Sequence, residues 1–332
     1  MAGVTAITDA KGRRIDYARI SVTDRCNYRC VYCMPEDGVA PLRHEEILRY
    51  EDILWLGGVL SELGVRKVRF TGGEPLVRKG MVDFLKEFRH AYPAMALSLT
   101  TNAALLDRSA EALGEVALSG LNISLDTVNP EKFHEITRIG DLDDVRRGIV
   151  AAKRAGILNL KTNTVLIRGF NDDELPDILD FSWGYGIVPR LIEFMPLGDD
   201  VWSRDRYIDA REILERLERI GRWLPMDDGS LWDEGVPRGP AKYYRSAADG
   251  RVVGVISAVS AHFCASCNRL RITAAGGMLP CLFATGEIPL MGWIRDRDAE
   301  TVKRIILEGI ETKPDCWERT RDGKRRMSCI GG

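Results

Sequence analysis

Two rhythms of apolar and polar positions alternate along the first two thirds of the chain. Short runs rich in β-branched residues, ARISVT (18–23), KVRFTG (67–72), ALSLTT (96–101), LNISLD (121–126), NLKTNTVL (159–166) and PRLIEFMP (189–196), predict strands. Amphipathic stretches at 45–64, 79–92, 105–118, 142–156 and 172–186 predict helices between them. In the fourth, Leu142, Val145, Ile149 and Ala152 recur at three- and four-residue steps and share one face, which a sheet would cover. A further helix, with Ile213, Leu217, Ile220 and Leu224 on one stripe, is expected to close the region.

Six strand–helix units in strict alternation predict an α/β fold with a parallel sheet, because a parallel neighbour is reached only through a long, right-handed crossover. That number of units points to a barrel, complete or partial. The pattern then changes: LWDEGVPRGPAKYYR is rich in Gly, Pro and charge, and VVGVISAVSAHFC reads as a strand. The expected organisation is a barrel over 1–225 and a C-terminal extension over 226–332.

Composition narrows the partners. A chain of 332 residues buries a full core without disulfide staples. The first twenty residues hold no apolar run of signal-peptide length, and no stretch approaches the ~20 apolar residues of a membrane span. A cytoplasmic protein with no membrane partner is expected. With 47 basic and 49 acidic residues the formal net charge is −2, which predicts no nucleic-acid-binding surface. Any anion must meet a local basic cluster.

The eight cysteines change the picture most. Six fall in two groups, Cys26, Cys30 and Cys33, then Cys264, Cys267 and Cys281; Cys316 and Cys329 stand apart. Cysteines in a reducing compartment are metal ligands or redox thiols more often than disulfides. Three thiolates can hold three irons of a [4Fe–4S] cube and leave the fourth open to a small molecule. A zinc site completed by a distant residue, and a redox dithiol, are the other readings of such spacing.

In a (β/α) barrel the reactive groups come from the carboxyl ends of the strands. The first triad follows the first strand, GGEP (72–75) follows the second, and TTN (100–102) ends the third. Ser124 and Asp126 end the fourth, Lys161 and Asn163 lie on the fifth, and Glu193 and Met195 end the sixth. Arg269 and Arg271 alternate along a strand-like run and so point to one face, suited to phosphate oxygens.

Cys-x3-Cys-x2-Cys with an aromatic before the last thiol, followed by GGEP at the next strand, resembles the radical S-adenosylmethionine (SAM) superfamily. Within it, DYARISVTDRCNYRCVYCMP, VRFTGGEPLVRKG, SLTTN, NISLDT, EFMPLG, CNRLRIT and the closing IGG resemble the GTP 3′,8-cyclase family, over about residue 12 to the end. The resemblance implies a partial (β/α)6 TIM-like barrel of the radical SAM type, with an extension carrying a second iron–sulfur cluster. It implies two [4Fe–4S] clusters and SAM as cofactors, with GTP as substrate. A 5′-deoxyadenosyl radical would take the ribose 3′ hydrogen, and C3′ would attack guanine C8 on the way to molybdenum cofactor. It further implies a homodimer, an unidentified reductant protein, and a product passed to cyclic pyranopterin monophosphate synthase.

Residue by residue, the resemblance assigns Cys26, Cys30 and Cys33 to the SAM cluster and Cys264, Cys267 and Cys281 to the second. SAM contacts fall on Tyr32, Gly73, Ser124 and Met195. GTP contacts fall on Arg19, Arg69, Thr100, Lys161, Arg269, Leu270 and Arg271, with Leu270 offering backbone. The catalytic set comprises the first triad, Arg269, Arg271 and the tail glycines Gly331 and Gly332, which would enter the active site. Two departures stand out: Ala103 follows Asn102 where the family usually has Gly, putting a positive-φ turn in question, and Cys329 is an extra thiol. A radical SAM peptide-maturing enzyme and a zinc-stabilised binding module are the rival readings.

Overall fold

The computed structural model describes residues 7–197, 201–227, 236–284 and 286–316. A small hairpin, β1 (Ile7–Thr8) with β2 (Arg14–Ile15), opens the chain. Six strands follow: β3 (Tyr17–Ser21), β4 (Lys67–Thr71), β5 (Ala96–Thr101), β6 (Gly120–Ser124), β7 (Leu160–Leu166) and β8 (Val188–Glu193). They pair in parallel in sequence order, each with the next. The predicted strands lie within a few residues of these bounds.

The crossovers are helices α1 (Tyr50–Glu62), α2 (Met81–Ala91), α3 (Leu106–Gly114), α4 (Pro130–Thr137), α5 (Leu142–Arg154) and α6 (Leu175–Gly184). On α5, Leu142, Val145, Ile149 and Ala152 are all buried, as the spacing predicts. Helix α4 was not expected. Its start is nonetheless written locally: the Asn129 side chain accepts from the backbone N–H groups of Glu131 and Lys132, and Pro130 occupies the first turn.

Helix α7 (Ala210–Ile220) buries Ile213 and Leu217 but leaves Ile220 exposed. The expected stripe through Leu224 is incorrect. Gly221 leaves the helix in extended backbone, and Leu224 lies exposed on β9 (Trp223–Met226), where it faces Arg245 of β10 (Lys242–Ser246). Tertiary pairing outweighs the continued period there.

The later residues add β11 (Val252–Ile256), β12 (Arg269–Ile272), β13 (Gly277–Leu279), β14 (Ile288–Pro289) and helices α8 (Met291–Arg295) and α9 (Ala299–Glu311). Strand β12 pairs in parallel with β3 and β11 in parallel with β8, so the C-terminal segment extends the barrel sheet at both edges. The order is β14-β13-β12-β3-β4-β5-β6-β7-β8-β11-β10-β9, and no ladder joins β11 to β12 among the described residues. Among the described residues the sheet is therefore open between those two strands, a partial barrel. No described helix is long and apolar enough to cross a membrane.

The two faces of this sheet have different chemistry. On β4, Val68 and Phe70 are fully buried, and Phe70 meets Phe84 and Phe88 of α2 edge-on at 5.1 Å each. Lys67, Arg69 and Thr71 alternate with them and line the interior. The interior is therefore polar by register.

Candidate active site

The inward side chains enclose a cavity of about 330 Å³, and both cysteine triads line it. The first triad sits on the loop after β3. Gly73 N–H donates to Thr23 O and Glu74 N–H to Arg25 O, each at 2.8 Å, so the GGEP turn lies against the start of that loop. A Cβ on Gly73 would come 2.3 Å from Arg25 O, so only glycine allows this approach. At the loop's far side Arg138 Nη1 donates to Arg29 O (2.7 Å) and Met34 O (2.9 Å).

Tyr32, Gly73, Ser124 and Met195, the expected SAM contacts, all line the cavity. Tyr32 Oη donates to Asp126 Oδ2 at 2.6 Å, and Val165 N–H donates to Asp126 Oδ1 at 2.8 Å. Burial pushes Asp126 up to about 6. Glu74 accepts from Thr101 Oγ1 (2.8 Å), Asn102 N–H (2.7 Å) and Leu76 N–H (3.0 Å), and burial pushes it up to about 7. The turn in question at Ala103 is kept: Ala103 adopts φ 64°, a left-handed conformation carried here by alanine.

The middle of the cavity is a wall of cations built by strand register. Arg271, Arg19 and Arg69 stand side by side across β12, β3 and β4. The next row sets Arg269, Tyr17 and Lys67 together. Lys161 lies opposite Asn122, which in turn lies opposite Thr100, and Arg190 lies opposite Asn163. All of these line the cavity.

Their electrostatics are correspondingly perturbed. Burial, then Arg190, Arg69 and Lys67, bring Lys161 down to about 5. Burial and Arg271 hold Arg19 well below its usual value. Burial alone would push Tyr17 up, but Arg69, Arg19 and Lys67 bring it down to about 7. Arg69 Nε donates to Tyr17 Oη and Arg69 Nη1 to Leu99 O, both at 2.8 Å, which fixes the guanidinium. Concentrating like charge in a buried cavity is unfavourable unless an anion answers it.

The second triad closes the other side. Burial would raise Cys267, but Arg269 and Lys313 outweigh it and lower the thiol to about 6. The Arg269 guanidinium stacks on Phe263 at 4.6 Å and reaches Cys267 Sγ at 3.6 Å. In the first triad, by contrast, burial pushes Cys26 up to about 11 and raises Cys30 strongly.

Both triads offer thiols, the donor type of iron–sulfur clusters. None of the seven described cysteines is in a disulfide, and no three His, Cys, Asp or Glu side chains among the described residues converge as ligands of a single ion. A cube takes one thiolate per iron, and each triad supplies three thiols on the cavity lining. Tyr28 N–H points at Cys26 Sγ at 3.3 Å, the kind of N–H···S contact that tunes such clusters.

Leu270 differs from the other expected GTP contacts: its side chain is fully buried in the core, not in the cavity. Gly331 and Gly332 lie outside the described residues. Glu193, at the end of β8, turns away from the cavity and accepts from Ala210 N–H (2.7 Å), Val259 N–H (2.6 Å) and Ser260 N–H (3.0 Å). Lys67, Arg190, Tyr17, Asn122 and Lys313 line the site without having been anticipated. Arg190 Nε and Nη2, and the side-chain oxygens of Asn122 and Asn163, are buried with no hydrogen-bond partner among the described residues. A charge inside an otherwise apolar strand, as in KVRFTG and PRLIEFMP, is the signal that could have found two of them.

Comparison with known proteins shows the family. The Radical SAM superfamily model matches residues 20–182 and the Molybdenum Cofactor Synthesis C model residues 187–319. The chain is 40% identical to a GTP 3′,8-cyclase of Thermodesulfovibrio yellowstonii, covering 98% of this chain and 99% of that one. It is 42% identical to one of Pelotomaculum thermopropionicum, again over 98% and 99%. Among solved structures, Streptococcus suis SuiB bound to precursor peptide SuiA shares the fold at 13% identity, TM-score 0.60, covering 91% of this chain and 68% of that one.

Proposed function

Because the chain belongs to the GTP 3′,8-cyclase family of radical SAM enzymes, we propose that it joins ribose C3′ of GTP to guanine C8. The product is (8S)-3′,8-cyclo-7,8-dihydroguanosine 5′-triphosphate, the first step toward molybdenum cofactor. The observation that carries this reading is the row Arg271–Arg19–Arg69 lying in one cavity with both cysteine triads.

Cys26, Cys30 and Cys33 would hold one [4Fe–4S] cluster and Cys264, Cys267 and Cys281 the other. When bound, the first cluster with SAM supplies the one-electron chemistry that removes the ribose 3′ hydrogen, and the second supplies a Lewis-acidic anchor for the base.

The protein's own side chains do the positioning. Arg19, Arg69 and Arg271 receive the triphosphate, flanked by Lys161, Arg190 and Arg269, each charge-assisted bond contributing ~1.5–3 kcal/mol. Lys161 regains its proton as the phosphates arrive. The side-chain oxygens of Asn122 and Asn163 accept from hydroxyl or N–H donors of the substrate. Held this way, C3′ and C8 meet as an intramolecular pair, and the barrel wall keeps water from the reacting carbon. The proposed setting is the cytoplasm and the proposed assembly a homodimer.

The test is anaerobic incubation of reconstituted protein with SAM, GTP and dithionite. The expected result is 5′-deoxyadenosine together with the cyclised nucleotide. Neither product, in protein shown to carry both clusters, overturns the reading.

A further inference from the structure

Two buried cations converge on the backbone of the second triad. Lys313 is 3% exposed and Arg13 is 5% exposed. Lys313 Nζ donates to Arg269 O at 2.8 Å and to Pro280 O at 2.7 Å. Arg269 lies two residues after Cys267, and Pro280 directly precedes Cys281. Arg13 Nη1 donates to Cys264 O at 3.0 Å and to Pro314 O at 2.7 Å, and Arg13 Nη2 donates to Lys313 O at 2.8 Å. Asp9 fixes the other end of that guanidinium through Arg13 Nε at 2.6 Å.

The need for such contacts is visible in the strand pairing. Cys264 and Cys267 share one short turn, with Cys267 N–H donating to Cys264 O at 3.3 Å. Cys281 arrives separately, from β13. The β12–β13 ladder registers Arg271 with Leu279 and Ile272 with Met278, and it goes no further toward the cysteines. Pro280, next in line, has no N–H to donate, so the ladder cannot continue through it. The Lys313 ammonium sits at that gap and crosslinks the two strands through their carbonyls.

We infer that Lys313 and Arg13 form a brace that holds Cys264, Cys267 and Cys281 at the mutual separation a cluster requires; this rests on the reading that the second triad holds one. Both are positioning residues. Each cysteine then has a backbone carbonyl, its own or one within two residues, tied to a single keystone at residues 313–314. The first triad shares none of these contacts, being tied instead by Arg138.

The experiment is iron and acid-labile sulfide analysis, with EPR of the reduced protein, on anaerobically reconstituted wild type, Lys313→Met and Lys313→Arg. Wild type should hold about eight irons per chain if both cubes assemble. Lys313→Met should hold about half of the wild-type iron and keep the EPR signal that responds to SAM. Lys313→Arg, whose guanidinium can still bridge two carbonyls, should recover most of the second cluster. In the cluster-free chain, alkylation of Cys281 relative to Cys26 should quicken several-fold in Lys313→Met only.

Equal iron in Lys313→Met and wild type, or iron lost from both sites together, overturns the inference. A wild type that itself stops at about four irons overturns the underlying reading instead. Should Lys313→Met fail to fold, Arg13→Lys, which keeps the charge but drops one of the converging donors, should still lose iron from the second site alone; loss of none decides against the brace.

Discussion

Arg19 and Arg69 stand directly opposite each other on adjacent parallel strands, and Arg271 stands opposite Arg19 on its other side. Like charges in facing positions destabilise a sheet, and burial deepens the penalty. The arrangement makes sense as stored affinity for a polyanion. Arg19→Gln should therefore raise the melting temperature of the ligand-free protein while weakening GTP binding by ~1.5–3 kcal/mol, roughly ten- to a hundredfold. Thermal melts and calorimetric titration check both halves. A lower melting temperature with unchanged affinity argues against an anion-binding role.

GTP affinity should fall as pH rises from 6 to 8. Lys161, brought down to about 5, is neutral in the ligand-free protein near pH 7. The triphosphate favours its charged form, so binding takes up a proton and weakens with rising pH. Tyr17, at about 7, works in the same direction: above that pH its phenolate adds negative charge beside Arg69 and repels the ligand. Calorimetry in buffers of different ionisation enthalpy should report net proton uptake. Proton release on binding, or an affinity that improves with pH, contradicts the assignment.

Glu193 stands at a strand end yet belongs to the scaffold. Its carboxylate accepts the backbone N–H groups of Ala210, Val259 and Ser260, joining the start of α7 to the loop before the second triad. Glu193→Gln removes one acceptor from a fully buried site and should destabilise the protein by ~1–3 kcal/mol, read from the urea midpoint. Iron content per folded chain should stay at the wild-type level.

Gly148 on α5 should tolerate no side chain. A Cβ there would lie 2.4 Å from Ala103 O, the carbonyl of the left-handed turn after β5. Gly148→Ala should destabilise by ~1–3 kcal/mol through overpacking against backbone that cannot yield. The expected readout is a lower urea midpoint with an unchanged slope.

The alternation of strand and helix, the polar strand ends and the two cysteine triads were legible in the sequence because each is a local pattern with a fixed period or spacing. The buried face of α5 and the shared face of Arg269 and Arg271 follow from 3.6-residue and two-residue periods alone. Helix α4, eight residues long, is too short for its period to stand out although its Asn129–Pro130 start is local, and the apolar stripe past the end of α7 is accidental. Leu224 continues a helical stripe on paper but is drawn into β9 by pairing with β10.

What the chain by itself determined is which residues of a strand share a face, since alternation along a strand is set by backbone geometry and needs no partner. What only the tertiary structure decided is which inward residues meet. Register between strands distant in sequence sets Arg271 beside Arg19 and Arg19 beside Arg69, and it brings Lys67, Tyr17 and Arg190 into the same wall. Packing of the segment after α9 likewise placed Lys313 across the gap that Pro280 opens. Side-by-side position across a sheet depends on long-range pairing, and no local period carries that information.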